Sequence, residues 1–288
     1  MTTRAGFIGL GNQGKPIAAH LAPQGLPTTV HDVAPGPVAE LVAGGAKAAK
    51  TPREVGQNAD VVGICVPEDE HVRAVVFGEN GLLAGMQKGG VILIHSTVLP
   101  ETVEAVSAAA AKQGVDVMDA CVTGGADRAA ARRLVYMIGG SETTLAKIKP
   151  YLEATTDVPW IHAGPLGCGA KLKLCNNLNT YILFAAASEA VRLAKASGLS
   201  PDVLEQVARA NGQFTDMTLA FLSTKKLPDS VLGSADYQRL MRNHTNIGEK
   251  DLAWALQLAK KSNVSLPMTA LVSQLMAGIY GVRDTHKL

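Results

Sequence analysis

Cysteine is scarce in this sequence, and what there is follows no pattern. Cys65, Cys121, Cys168 and Cys175 lie in apolar or glycine-rich stretches with no CxxC spacing. That excludes a disulfide framework and fits small core residues in a reducing, cytoplasmic compartment. His71, His162 and His286 show no ligand spacing either, so no metal is expected. Long apolar runs are also lacking: none approaches the roughly 18 residues of a membrane span, and neither a transmembrane helix nor a signal peptide is expected. No charge of one sign dominates, with 27 Lys and Arg against 25 Asp and Glu and no basic run longer than Lys225-Lys226 or Lys260-Lys261. Nucleic acid and anionic membrane are therefore not expected partners. There is no fixed-period repeat and no low-complexity linker. The remainder is 47% hydrophobic in 288 residues, enough for one large domain or two smaller ones.

From Ala5 to about Ile161 short β-rich runs alternate with Ala-rich helical segments. The runs are Ala5 to Gly9, Thr28 to Val33, Val61 to Val66, Val91 to His95, Val115 to Asp119 and Leu134 to Ile138. Such alternation predicts a doubly wound, mostly parallel α/β sheet with helices on both faces. After Cys168 everything reads as helix: Ala170 to Ser197, Pro201 to Asn211, Phe214 to Ser223, Asn246 to Lys261 and Pro267 to Tyr280. The first of these is apolar almost all round, from Leu172 and Leu174 to Phe184 and Ala187, so it must be buried on several sides. It reads as a long interdomain helix anchoring an all-α domain, with the division at 1–164 and 165–288. Its Ala-rich faces also predict a homodimer or homotetramer.

The stretch Gly9-Leu10-Gly11-Asn12-Gln13-Gly14 is a GxGxxG that follows an apolar strand and opens a helix. In that context the glycines allow a tight turn, close approach to a pyrophosphate and close helix–strand packing, as in a Rossmann domain. Asp32 closes the second strand, where a carboxylate can accept from the adenosine ribose hydroxyls and would repel a 2′-phosphate. NAD is the expected cofactor, with NADP as a second choice. Further along, Lys173 and Asn177 are i and i+4 on the long helix, hence on one face. A lysine near a helix N-terminus and a cationic nicotinamide has its pKa pushed down, which suits general acid/base work. The alternative is a Lys173 that snorkels to the surface and an Asn177 that bonds nearby backbone. Arg128, Arg132 and Arg133 read as a solvated cluster rather than an anion site.

These motifs, with the DACVTGG run at Asp119 to Gly125, the GxGxxxKxxNN run opening the long helix and the late Lys250-Asp251-Leu252, resemble the β-hydroxyacid dehydrogenase family over nearly the whole chain. The resemblance implies an enzyme interconverting a short β-hydroxy acid and its semialdehyde or keto acid, with Lys173 as catalytic acid/base and Asn177 orienting the substrate. It implies a carboxylate seat at Thr123, Gly124 and Gly125, and cofactor contacts at Val66, Pro67, Thr97 and Lys250. Departures from the family pattern are Gln13 for Met, His95 for Asp or Ser, Cys121 for Pro, Thr123 for Ser and Arg132 for Gly, with Asn243 and His244 where an aromatic is common. Cys121 is expected to relax its loop. Two rival readings are an imine reductase of the same fold and a non-catalytic cofactor-binding module; retention of Lys173 and Asp32 opposes the first, and of Lys173 and Asn177 the second.

Overall fold

The computed structural model describes residues 2–283; His286 lies outside them. The chain divides into two compact units, Met1–Lys173 and Leu174–Leu288. The first carries eight strands: β1 (Ala5–Ile8), β2 (Thr28–His31), β3 (Lys47–Ala48), β4 (Val61–Ile64), β5 (Val91–Ile94), β6 (Asp116–Thr123), β7 (Val135–Gly139) and β8 (Ile161–Gly164). Among them run α1 (Gly14–Ala18), α2 (Pro35–Ala43), α3 (Pro52–Asn58), α4 (Asp69–Val76), α5 (Pro100–Ala111), α6 (Gly125–Ala130) and α7 (Glu142–Thr155). Helix α8 (Cys168–Ala196) begins in this unit. It continues into the second, which adds α9 (Pro201–Ala210), α10 (Asp216–Thr224), α11 (Asp229–Leu232), α12 (Ala235–Lys261) and α13 (Pro267–Tyr280).

The sheet order is β3-β2-β1-β4-β5-β6-β7-β8. Strands β1 to β6 pair in parallel, and β7 runs antiparallel to β6. Alternate residues feed two cores: Phe7, Val30, Leu93, Ala120 and Tyr136 pack on one face, while Ile8, Ile64, Ile94, Cys121 and Met137 pack on the other. A third core forms within the helical unit around Tyr181, Phe184, Phe221, Leu252 and Met276. Each fully buried Leu, Ile or Phe in these cores contributes about 1.5–3 kcal/mol.

Several expectations are corrected here. The fifth strand does not stop at Asp119: pairing with β7 from Asp119↔Gly139 to Thr123↔Val135 carries it four residues further. Cys121 is therefore a fully buried strand residue rather than a relaxed loop position. Strands β3 and β8 were not expected, being a two-residue strand of exposed residues and a strand of exposed and half-buried ones. Helix α12 starts at Ala235 rather than Asn246, because Ser234 caps it by accepting from the Tyr237 N–H and a polar first half hides the apolar period.

Candidate active site

The glycine loop starts where β1 ends. Gly9 has φ 92°, and a Cβ there would lie 2.3 Å from the Cys65 carbonyl oxygen. A Cβ on Gly14 would lie 1.9 Å from the Gly9 carbonyl oxygen. The chain's own packing requires both glycines. Gly11 differs: nothing lies within 4 Å of where its Cβ would be. Open space beside a glycine at the mouth of a strand–helix turn is the cradle that a close-approaching pyrophosphate fills. Gln13 Nε2 is buried at the same turn without a hydrogen-bond partner, a donor still to be satisfied. Asp32 closes the loop, accepting from the Leu10 N–H at 2.5 Å through Oδ2 and from the Ala34 N–H at 2.7 Å through Oδ1. Each carboxylate oxygen keeps a lone pair for a ribose hydroxyl. The residues present fit a dinucleotide.

The next three loops are tied to one another at the same edge of the sheet. Ser96 Oγ accepts from the Val66 N–H at 2.8 Å, and the Ser96 carbonyl accepts from the Cys121 thiol at 3.6 Å. The Leu99 N–H donates to Asp69 at 3.0 Å, which holds the segment following Thr97. Val66 and Thr97 are half-buried at this edge, and Pro67 is exposed. At the end of β6 the chain turns through Gly124 at φ 134° and Gly125 at φ 80°. Both angles favour glycine, and nothing lies within 4 Å of a Cβ on Gly125. At Gly125 the turn therefore leaves open backbone at the strand end, two residues beyond Thr123. Arg132 is not part of it: its guanidinium donates to the Glu153 carbonyl at 2.6 Å and pairs with Asp157 at 3.0 Å. Arg132 itself has φ 54°, which accounts for the family's glycine at that position.

Helix α8 is seated by a residue that the sequence reading did not single out. Asp119, fully buried on β6, accepts from the Gly167 N–H at 2.9 Å and the Ala170 N–H at 2.7 Å. A carboxylate bonded to otherwise orphaned first-turn amides also meets the positive end of the helix dipole. Gly139 and Gly169 close the joint, since a Cβ on Gly169 would lie 2.5 Å from the Met137 carbonyl. Lys173, half-buried, is the sixth residue of the helix so placed.

Asn177 lies one helical turn further on and belongs to the second unit. Its Nδ2 donates to Asp251 Oδ2 at 2.6 Å, and the Tyr181 hydroxyl donates to the same oxygen at 3.3 Å. Burial first, and then the Asp251 charge, hold the Tyr181 hydroxyl protonated, so it acts as a donor. Asn177 Oδ1 accepts from Asn176 at 3.2 Å, which fixes the amide's orientation and leaves one Nδ2 hydrogen. The second oxygen of Asp251 has Lys250 Nζ 3.2 Å away, off the line of a hydrogen bond. Asp251 is thus the hub on which Asn177 and Lys250 are both placed. Its one signal in the sequence was its place beside Lys250 in the Lys250-Asp251-Leu252 run.

Comparison with known proteins agrees with this geometry. Residues 4–164 match the NAD binding domain of 6-phosphogluconate dehydrogenase, and residues 167–285 match the NAD-binding domain of NADP-dependent 3-hydroxyisobutyrate dehydrogenase. The chain belongs to the 3-hydroxyisobutyrate dehydrogenase-like β-hydroxyacid dehydrogenases. Within this family of NAD(P)-dependent oxidoreductases, the NAD-dependent L-serine dehydrogenase of Pseudomonas aeruginosa is 35% identical over 269 residues, covering 93% of this chain and 89% of that one. The 3-hydroxyisobutyrate dehydrogenase of the same organism is 33% identical, covering 96% and 91%. A solved structure described as Mycobacterium tuberculosis 3-hydroxyisobutyrate dehydrogenase with L-serine superposes with TM-score 0.80 at 28% identity, covering 98% of this chain and 94% of that one. Among the described residues no helix is long and apolar enough to cross a membrane, and no disulfide joins the four cysteines.

Proposed function

We propose that this protein is an NAD-preferring dehydrogenase that oxidises a short β-hydroxy acid to its semialdehyde or keto acid, and runs the reverse reduction. The observation that carries this is Lys173 and Asn177 at i and i+4 on a helix whose N-terminus is fixed by Asp119. The open cradle at Gly11 and the carboxylate of Asp32 support the cofactor assignment, and Asp32 supports NAD over NADP. Both relatives named above act, by their names, on β-hydroxy acids, which makes L-serine and 3-hydroxyisobutyrate the first acids to test.

In this reading Thr123, Gly124 and Gly125 seat the substrate carboxylate with hydroxyl and backbone donors. Asn177 donates its remaining amide hydrogen to the substrate's hydroxyl oxygen, and Lys173, acting as base, removes the proton from that oxygen. The bound nicotinamide supplies the hydride acceptor. Lys173 keeps the proton while the carbon–oxygen bond gains its second order, and returns it to the oxygen in the reductive direction. In the same reading Val66, Pro67 and Thr97 would line the nicotinamide side, and the family resemblance assigns Lys250 to cofactor contact. Fixing the carboxylate sets the orientation of the reacting carbon, which lowers the entropic part of the barrier.

Turnover of L-serine, 3-hydroxyisobutyrate, glycerate and 3-hydroxypropionate, with NAD⁺ and NADP⁺ side by side, tests the assignment. Lys173→Ala is expected to lose about 10²–10⁴-fold in kcat while its NADH dissociation constant, read by fluorescence, stays within about twofold. Unchanged turnover in that variant sinks the role of Lys173.

The four thiols suit a reducing, cytoplasmic setting. The helical unit also carries apolar residues in water: Met268, Leu271 and Leu275 along α13, and Val203 and Val207 on α9, each more than two-fifths exposed. Such stripes support a homodimer or homotetramer. Light scattering at micromolar concentration should give a mass at least twice 30.0 kDa; a monomer would contradict it.

A further inference from the structure

We propose that His95 is a positioning residue for the carboxylate seat: its imidazole fixes the Ala120 carbonyl, and through β6 the Thr123–Gly125 turn, against the segment that carries Thr97. This rests on the reading of Thr123 to Gly125 as the seat.

The sheet itself leaves the task undone. Register between β5 and β6 ends with Ile94 opposite Asp119, while β6 runs on to Thr123. The next carbonyl on β6, that of Ala120, lies 2.7 Å from His95 Nδ1, so a side chain takes over where the β5 backbone stops. A carbonyl can only accept, so Nδ1 carries the hydrogen. Full burial lowers the His95 pKa to about 4 and keeps the ring neutral, which leaves Nε2 as an acceptor for the Tyr151 hydroxyl at 3.0 Å. One tautomer therefore satisfies both ring nitrogens.

The ring has no freedom to wander. Phe7 and Tyr151 stack on it with centroids at 5.7 and 5.8 Å, and Tyr136 meets it edge-on at 5.6 Å. Gly63 on β4 makes the space, since a Cβ there would lie 2.3 Å from the Tyr151 hydroxyl and 2.7 Å from His95 Nε2. The backbone beyond His95 is equally fixed, because Ser96 holds both the Val66 N–H and the Cys121 thiol. The dipeptide His95-Ser96 thus spans the ends of β4, β5 and β6. At 2% exposure His95 is enclosed by these groups, and its effect on substrate passes through the Ala120 backbone.

A side chain that merely fills space would behave differently, and two variants separate the cases. In His95→Asn the amide nitrogen can occupy the Nδ1 position and still donate to Ala120. In His95→Gln the side-chain oxygen reaches the Nε2 position and the Ala120 carbonyl loses its donor. For wild type and both variants, KM and kcat are measured with the best hydroxy acid from the panel, NADH affinity by fluorescence, and stability by urea unfolding. His95→Gln should raise the hydroxy-acid KM about tenfold, the scale expected when a buried acceptor loses its partner, with NADH affinity within about twofold. His95→Asn should stay within about threefold in KM although it is the smaller residue and loses more packing. A kinetic order that opposes the packing order is what space-filling cannot produce. Equal KM in the two variants, raised or not, or a larger rise in the Asn variant, overturns the proposal. If neither variant folds, Tyr151→Phe decides: it removes only the Nε2 partner, so an unchanged KM is expected and a tenfold rise refutes the inference. Wild-type protein inactive on every acid overturns the functional reading and this inference with it, whereas an active wild type with kinetically indistinguishable variants overturns this inference alone.

Discussion

The two units hold their functional groups by different means. In the sheet unit the backbone does most of it: Gly9 and Gly14 are fixed by contacts of 2.3 and 1.9 Å that a Cβ would make, and Gly124 and Gly125 by their positive φ. In the helical unit one buried carboxylate, Asp251, takes the amide of Asn177 and the hydroxyl of Tyr181 and lies beside Lys250. A turn built on backbone tolerates no side chain at a crowded glycine such as Gly9 or Gly14. A site built on one carboxylate tolerates changes of shape around it and fails when the charge is lost.

Three substitutions sharpen that contrast, and the largest effect belongs to Gly14→Ala. Its Cβ would overlap the Gly9 carbonyl, so unfolding free energy in urea should fall by about 3 kcal/mol or more, with little folded protein recovered. Asp251→Asn comes next. It sets an amide where a carboxylate received Asn177 and Tyr181, and about 2 kcal/mol of stability should go with it. The hydroxy-acid KM should rise as Asn177 loses its orientation; an Asp251→Asn enzyme with wild-type kinetics would break the comparison from the helical side. Gly11→Ala should be the mildest for stability, within about 0.5 kcal/mol, because nothing lies within 4 Å of the added carbon. Its effect belongs in NADH titration, as a roughly tenfold weaker complex. Wild-type NADH affinity in this variant would mean that the space beside Gly11 is not where the pyrophosphate lies.

The sheet unit was the more legible of the two. Its strands are runs of buried Val and Ile ended by Gly, Pro or Asp, and the glycine turn with Asp32 follows from spacing alone. What escaped notice there depends on partners distant in sequence. Thr123 belongs to a strand only because Val135 pairs with it, and Asp119 caps a helix that begins almost fifty residues later. Why Arg132 stands where the family has glycine shows only in its backbone angle and its bond to Glu153. In the helical unit the periodic pattern located most helices, yet the polar first half of α12 hid its start. Asp251 was visible only as the neighbour of Lys250, since a single acid on a helix announces nothing until Asn177 and Tyr181 are seen to point at it.

The joint under α8 bears on how the sequence can drift. Gly139 and Gly169 leave no room for even a methyl group, and Asp119 has both its oxygens committed to amides of the α8 segment. Replacement at any of these three would shift or release the helix that carries Lys173 without touching a substrate. On the proposed reading of the site, change in substrate preference is therefore channelled away from the helix seat and toward side chains at the strand ends, such as Thr123, whose replacement leaves the helix anchored. A lineage can vary there while the position of Lys173, the proposed proton-transfer group, stays fixed.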